Sequence, residues 1–256
     1  MKKILSLSLL ALFGFGVVTV QAQFGPPARG GSSGPQFGGV IGKLFGDNQA
    51  FSATMEFQTA DPGGSGKVIT MPGKLSFDAG KSRFVMNMAD LQGSHMTPDA
   101  AAHMKAMGMD QMVAIGRPDK NVSYLIYPGL QSYVENPLPP AAGTNSNSKI
   151  ETTELGKETV DGHACVKNKV VVTDNEGVKH ESTVWNATDL KNFPVKIVAD
   201  ENGRQVVMQF KNISLTKPAA SEFDAPSGYT KYANLQTMMQ TEMMKKMGNG
   251  MGMPPH

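Results

Sequence analysis

Apolar and polar residues alternate along most of this chain with the period of two that marks a half-buried β-strand. Phe51, Ala53, Met55 and Phe57 alternate with Ser52, Thr54, Glu56 and Gln58. Leu75 and Phe77 continue the pattern, and Phe84, Met86 and Met88 return after the turn Asp78-Ala79-Gly80-Lys81. Three more strands are predicted, over Gln111 to Ile115, Asn121 to Tyr127 and Leu130 to Val134. Arg117-Pro118-Asp119-Lys120 and Pro128-Gly129 separate them. From Ile150 to Leu215 strand follows strand, with turns at Val160-Asp161-Gly162, Asp174-Asn175-Glu176-Gly177 and Asn202-Gly203. Asn-Gly accepts the positive φ that a two-residue hairpin turn requires. Phe193, Val195, Ile197 and Ala199 share one face, and Val206, Met208 and Phe210 repeat the pattern after the turn. Ile213 and Leu215 then fall on odd positions, which predicts a bulge or bend near Asn212. The count reaches about eleven strands.

Two stretches break this period. Thr97 is a natural N-cap, and Pro98 fits the first helical position, where a missing N–H costs nothing. Ala100, Ala101, Ala102 and Ala106 favour helix, and Gly108 is a natural stop. Near the end, Leu235, Met239, Met243 and Met247 lie four apart and predict a helix with one apolar stripe, Met238 beside it. Gly248, Gly250 and Gly252 close that helix.

The second half of the chain also carries a family pattern. Gly-x-Glu-x-x-x-Gly-x-x-Cys ends at Cys165, and a hairpin leads to Val184-Trp185. Asp189-Leu190, Phe193-Pro194-Val195-Lys196, a final hairpin and Phe223-Asp224-Ala225-Pro226-Ser227-Gly228-Tyr229 follow. In this order the chain resembles the periplasmic LolA/LolB-like lipoprotein-carrier superfamily, closest to a branch known as a domain of unknown function. The resemblance covers roughly residues 45 to 232. It implies an incomplete, strongly curved antiparallel barrel, mainly β, with lid helices over an apolar cavity. Met86, Met88, Trp185 and Phe210 are the candidate cavity residues, and Met104 and Met107 the candidate lid residues. The resemblance implies no known ligand for this branch; a periplasmic carrier with such a cavity is expected to hold an acyl chain or a lipidated protein.

Met1 to Ala22 reads as a secretory signal peptide, with Lys2 and Lys3 before an apolar run that ends in Val20-Gln21-Ala22. Cleavage there predicts a periplasmic or secreted protein that begins at Gln23 and has no membrane span. No Cys follows the apolar run, which departs from the lipid-anchored members of the superfamily. Residues 23–42 are dominated by Gly, Pro and Ser and predict a flexible leader. Residues 43–232 then form one half-barrel domain and 233–256 a Met-rich helical tail. Loss of Lys2 and Lys3 lowers the basic count from 24 to 22, equal to the 22 acidic residues. A neutral chain gives no electrostatic case for nucleic acid.

The sequence offers no catalytic constellation. His95, His103, His163, His180 and His256 stand outside any metalloprotease, thiol-redox or nucleophile-elbow motif. Gly66-Lys67 is not a phosphate loop, because Val68 stands where Ser or Thr would bind magnesium. Cys165 is the lone cysteine, read as a packed strand thiol on the face of Lys167 and Lys169. A non-enzymatic protein without a cofactor is therefore expected. Methionine is the unusual residue, at 18. One group spans Met96 to Met112 and the other Met238 to Met253. Flexible thioether side chains suit helix packing, a lid over varied apolar ligands, or copper(I). The copper alternative rests on Met96, His103 and Met107. A third reading is an envelope scaffold without a ligand.

Overall fold

In a computed structural model the described residues are 39–60, 68–93, 96–138, 149–173, 177–201 and 204–250. The signal segment, the Asn202-Gly203 turn, His95 and the residues from Met251 onward lie outside them. A short helix α1 (Gly39–Leu44) occupies the last residues of the expected leader and leads into β1 (Ala50–Ala60). Next come β2 (Val68–Asp78), β3 (Lys81–Asn87) and helix α2 (Pro98–Ala106), then β4 (Gln111–Arg117), β5 (Val122–Tyr127) and β6 (Ser132–Pro137). The second run is β7 (Lys149–Val160), β8 (His163–Thr173), β9 (Lys179–Ala187), β10 (Phe193–Glu201) and β11 (Arg204–Ser214). β12 (Thr230–Tyr232) and helix α3 (Leu235–Gly250) complete it.

All twelve strands form one open, curved sheet in the order β12-β6-β5-β4-β3-β2-β1-β11-β10-β9-β8-β7. Each half of the chain is a meander, and the halves join where β1 pairs with β11. The pairing is antiparallel except at β12, whose three residues run parallel to β6. This twelfth strand was not expected, because Thr230-Lys231-Tyr232 is too short and polar to show a period.

The predicted bulge is present. Ser52 faces Ser214 while Thr54 faces Lys211, so β11 carries an extra residue, and Asn212 adopts φ +50° to supply it. That residue swings Ile213 and Leu215 onto the core. Val160-Asp161-Gly162 turns with φ +50° at Asp161 and +84° at Gly162, the twist that a two-residue hairpin needs. α2 begins as expected, with Thr97 Oγ1 accepting from the Ala100 N–H at 3.2 Å.

The sheet packs on both faces. Its concave face holds the main core, from Phe51, Met55, Leu75 and Phe84 across to Phe193, Ile197, Met208 and Phe210. On the convex face the segment after β11 crosses β3 to β6 and buries Phe223 against Val113, Ile115, Tyr124 and Ile126. Arg117 fastens this strap: its guanidinium donates to the Phe223 carbonyl at 3.1 Å and to Asp224 at 2.6 Å, while also bridging Asp119. Ser76 adds a bond to Glu222 at 2.8 Å.

β7 forms one edge and is exposed on both faces along nearly its whole length. Gly156, at φ +142°, breaks its register with β8. The extra residue of this slip is Leu155 in β7, whereas β8 runs in unbroken register with β9 from Cys165 to Thr173. Cys165 therefore keeps the alternation of Lys167 and Lys169, as expected, and is 2% exposed, while Val170 and Val172 are buried at the opposite parity.

Candidate functional site

The concave face begins with a box of rings. Phe51, Phe77, Phe193 and Phe210 come from four strands, and all are at most 2% exposed. Each follows from strand alternation, but what fills the box does not. Phe45, one residue past α1, inserts among them with ring centroids 4.7 Å from Phe51, 5.4 Å from Phe77, 5.7 Å from Phe210 and 5.9 Å from Phe193. Leu44 is buried alongside it and Ile41 packs on the same cluster. The turn that delivers Phe45 is pinned by Asn48, whose amide donates to the carbonyls of Phe45 and Lys191, each at 3.2 Å. The chain therefore occupies part of its own expected cavity. The only local sign of this in the sequence is an apolar Leu44-Phe45 pair just ahead of the first strand.

Beyond the box the same face continues into methionine. Met71 faces Phe57 across the ladder, and Met86 faces Met112. Met55 and Met86 are buried, whereas Met71, Met88, Leu91 and Met112 pack on the core while staying partly exposed. Gly73 leaves room for this layer, since a Cβ there would overlap the Phe84 ring. Of the candidate cavity residues, Met86, Met88, Phe210 and Trp185 all belong to the main core. Trp185 has a polar setting within it. Its ring lies 5.0 Å from the Lys167 ammonium and 4.8 Å from that of Lys196, and its indole N–H donates to Glu158 at 2.7 Å. Lys167 and Trp185 together hold the Glu158 carboxyl below its usual range.

α3 covers the concave face at its other end, over β6 and β12. Asn234 caps it, accepting from the Thr237 N–H at 2.8 Å. The buried positions are Met238 and Glu242, with Leu235 and Met239 partly covered and Met243 43% exposed. The apolar stripe is thus turned from the expected Leu235-Met239-Met243 line. Glu242 sets that rotation: its Oε1 accepts from Ser132 at 3.1 Å, Tyr232 at 2.6 Å and Lys245 at 2.8 Å. Burial raises the Glu242 pKa, but these three donors outweigh it and hold the carboxyl below its ordinary value.

The candidate lid behaves differently. α2 buries none of its residues, Met104 is half-covered and His103 is exposed. Met107, just past its C-terminus, is drawn elsewhere. Gly108, at φ +73°, stands against Gly129 so closely that a Cβ on either would overlap the other's backbone. This approach sets Met107 and Met109 beside Leu130, Met239 and Met243 around one small gap. The structure thereby takes Met107 into a cluster with Met109, Met239 and Met243, which the trio with Met96 and His103 did not include.

The family model described as Domain of unknown function (DUF4412) matches residues 182–229, from β9 through the convex strap. No curated protein matches the chain. Among solved structures the chain is similar to a LolA superfamily protein from Nitrosomonas europaea, at 7% identity over 72% of this chain and 93% of that one, with a TM-score of 0.39. It is also similar to the lipoprotein LppX from Mycobacterium tuberculosis, at 12% identity over 71% and 95%, with a TM-score of 0.39. LprF from Mycobacterium bovis matches at 14% identity over 71% and 91%, with a TM-score of 0.38. The matched family segment lies in the second half of the chain, where the sequence carries its family pattern, and the described residues form one open, curved sheet.

Proposed function

We propose that this is a non-enzymatic binding protein of the bacterial envelope, exported by its N-terminal segment, that holds an apolar chain against the concave face of its sheet. The ligand class is an acyl chain, free or on a lipidated protein. The observation that carries this reading is the strip of Met71, Met88, Leu91 and Met112, flexible apolar side chains left half-covered where the packed core ends. Thioether side chains adapt to varied apolar shapes at little cost. Both covers of this face, Phe45 with α1 and the helix α3, are segments outside the strand order of the sheet, so either can move without breaking a ladder.

The chemistry of the polar groups supports binding over turnover. Burial pushes the Cys165 thiol up, the reverse of what a nucleophile requires. His163 pairs with Asp189 at 2.7 Å, both partly exposed, on β8 and the turn after β9, strands apart from β2, β3 and β4 that carry the methionine strip. Titration of the mature chain with a fluorescent fatty acid tests the proposal. Saturable binding is expected, and Met71→Ser with Met112→Ser should weaken it about tenfold, since two half-covered methionines contribute roughly 1–2 kcal/mol together. Absence of saturable binding, or binding indifferent to the pair, refutes the reading and leaves a scaffold without a ligand.

A further inference from the structure

The two methionine groups, remote in sequence, meet in space. Met107 and Met109 from the end of α2 and Met239 and Met243 from α3 line one gap of about 10 Å³. That volume is near the lower limit for a water molecule, and the gap's accessible wall is apolar, so water gains little there. We propose that this gap is a thioether site for a soft monovalent cation, copper(I). The inference is independent of the apolar-ligand reading.

Three features distinguish it from ordinary packing. First, burial is incomplete. Met238, which packs, is 0% exposed, whereas Met243 is 43% exposed and Met107, Met109 and Met239 are intermediate. The four side chains thus keep part of their surface open to solvent. Second, the backbone is fixed on both sides. Gly108 against Gly129 sets the Met107 and Met109 arm, and Glu242 on Ser132 and Tyr232 sets the helix that carries Met239 and Met243. Residues 239 and 243 are one helical turn apart and so project to the same side. Third, the donors are uncharged and soft, which selects copper(I) over harder ions. The nearby Lys246 ammonium is engaged by the Ala106 carbonyl at 3.3 Å, and the Glu242 carboxylate beside the gap is already held by Ser132, Tyr232 and Lys245. The site shares Met107 alone with the Met96, His103 and Met107 alternative.

Anaerobic competition against a chromophoric copper(I) chelator tests the assignment on the mature chain. A single bound equivalent is expected, with sulfur as the neighbour in X-ray absorption. Leucine keeps the apolar volume and removes the sulfur, so Met107→Leu, Met109→Leu, Met239→Leu and Met243→Leu combined should lose that equivalent while the circular dichroism spectrum is kept. If the fourfold variant does not fold, Met109→Leu with Met243→Leu alters one residue on each arm and should still weaken binding. Met251→Leu with Met253→Leu should leave binding unchanged. Failure of the unaltered protein to take copper(I), nitrogen or oxygen neighbours only, retention in the leucine variants, or loss in the Met251/Met253 variant would each overturn the proposal.

Discussion

Replacing Phe45 by Ala isolates what the plug contributes. Phe45 is 1% exposed and has four ring neighbours between 4.7 and 5.9 Å. Burial of an aromatic side chain of this size stabilises by roughly 2–3 kcal/mol. Tilted and edge-on ring pairs add about 0.5–1.5 kcal/mol each beyond area, though the four share one ring and do not sum. The surrounding rings sit on paired strands and cannot collapse inward, so the vacated space remains and its cost adds. The expected loss is about 4 kcal/mol, within the 3–5 kcal/mol range of buried Phe→Ala changes. A domain of ordinary stability, about 5–15 kcal/mol, survives this. Urea unfolding followed by Trp185 fluorescence measures the loss, with Phe45→Leu as a milder control expected to cost about 1–1.5 kcal/mol. The same variant should bind a fluorescent fatty acid more tightly, because the emptied box joins the methionine strip. A cost below about 1 kcal/mol would show that Phe45 is not held in the box and refute the plug argument.

Two further outcomes follow from the covers and the close approach. The Glu242 carboxyl has a folded pKa below its ordinary value of 4.5, so the stability it supplies is full above that value and is lost as pH falls through the folded pKa. Glu242→Gln should therefore cost about 1–2 kcal/mol at neutral pH, and the gap between thermal midpoints of the two proteins should close below pH 4.5, whereas a constant gap would refute the link. Gly129→Ala should destabilise by about 2 kcal/mol or more through overlap with the Gly108 backbone, and amide exchange should show the α2 end loosened; an unchanged midpoint would mean that the approach is not required.

Local signals made the strands legible. β1 alternates cleanly because one face is buried along its length, and the Asn212 bulge showed as a parity slip within a single strand. The start and stop of α2 were legible for the same reason, since Thr97, Pro98 and Gly108 act within a turn of the helix. Errors arose where a neighbour decides. Leu155 is an extra residue in β7 opposite an unbroken β8, and no pattern in either strand reports it. The rotation of α3 is set by a buried carboxylate and its three donors, whereas an apolar count locates only sulfur and leucine. Phe45 and the four-methionine gap are long-range meetings without a local period. Even the parallel strand β12 is recognisable only through its partner β6.

The seam between β1 and β11 also dictates an order of folding. Each meander forms from hairpins between sequence neighbours, which close quickly. The seam instead joins residues 52–59 to residues 206–214, so it cannot zip until nearly the whole domain is available. Until then Phe51 and Phe77 stand apart from Phe193 and Phe210, and Phe45 has only half a box to enter. The half-folded chain thus presents a bare aromatic surface until the seam closes. Closure of this long-range seam is the step expected to be slowest and most exposed to aggregation.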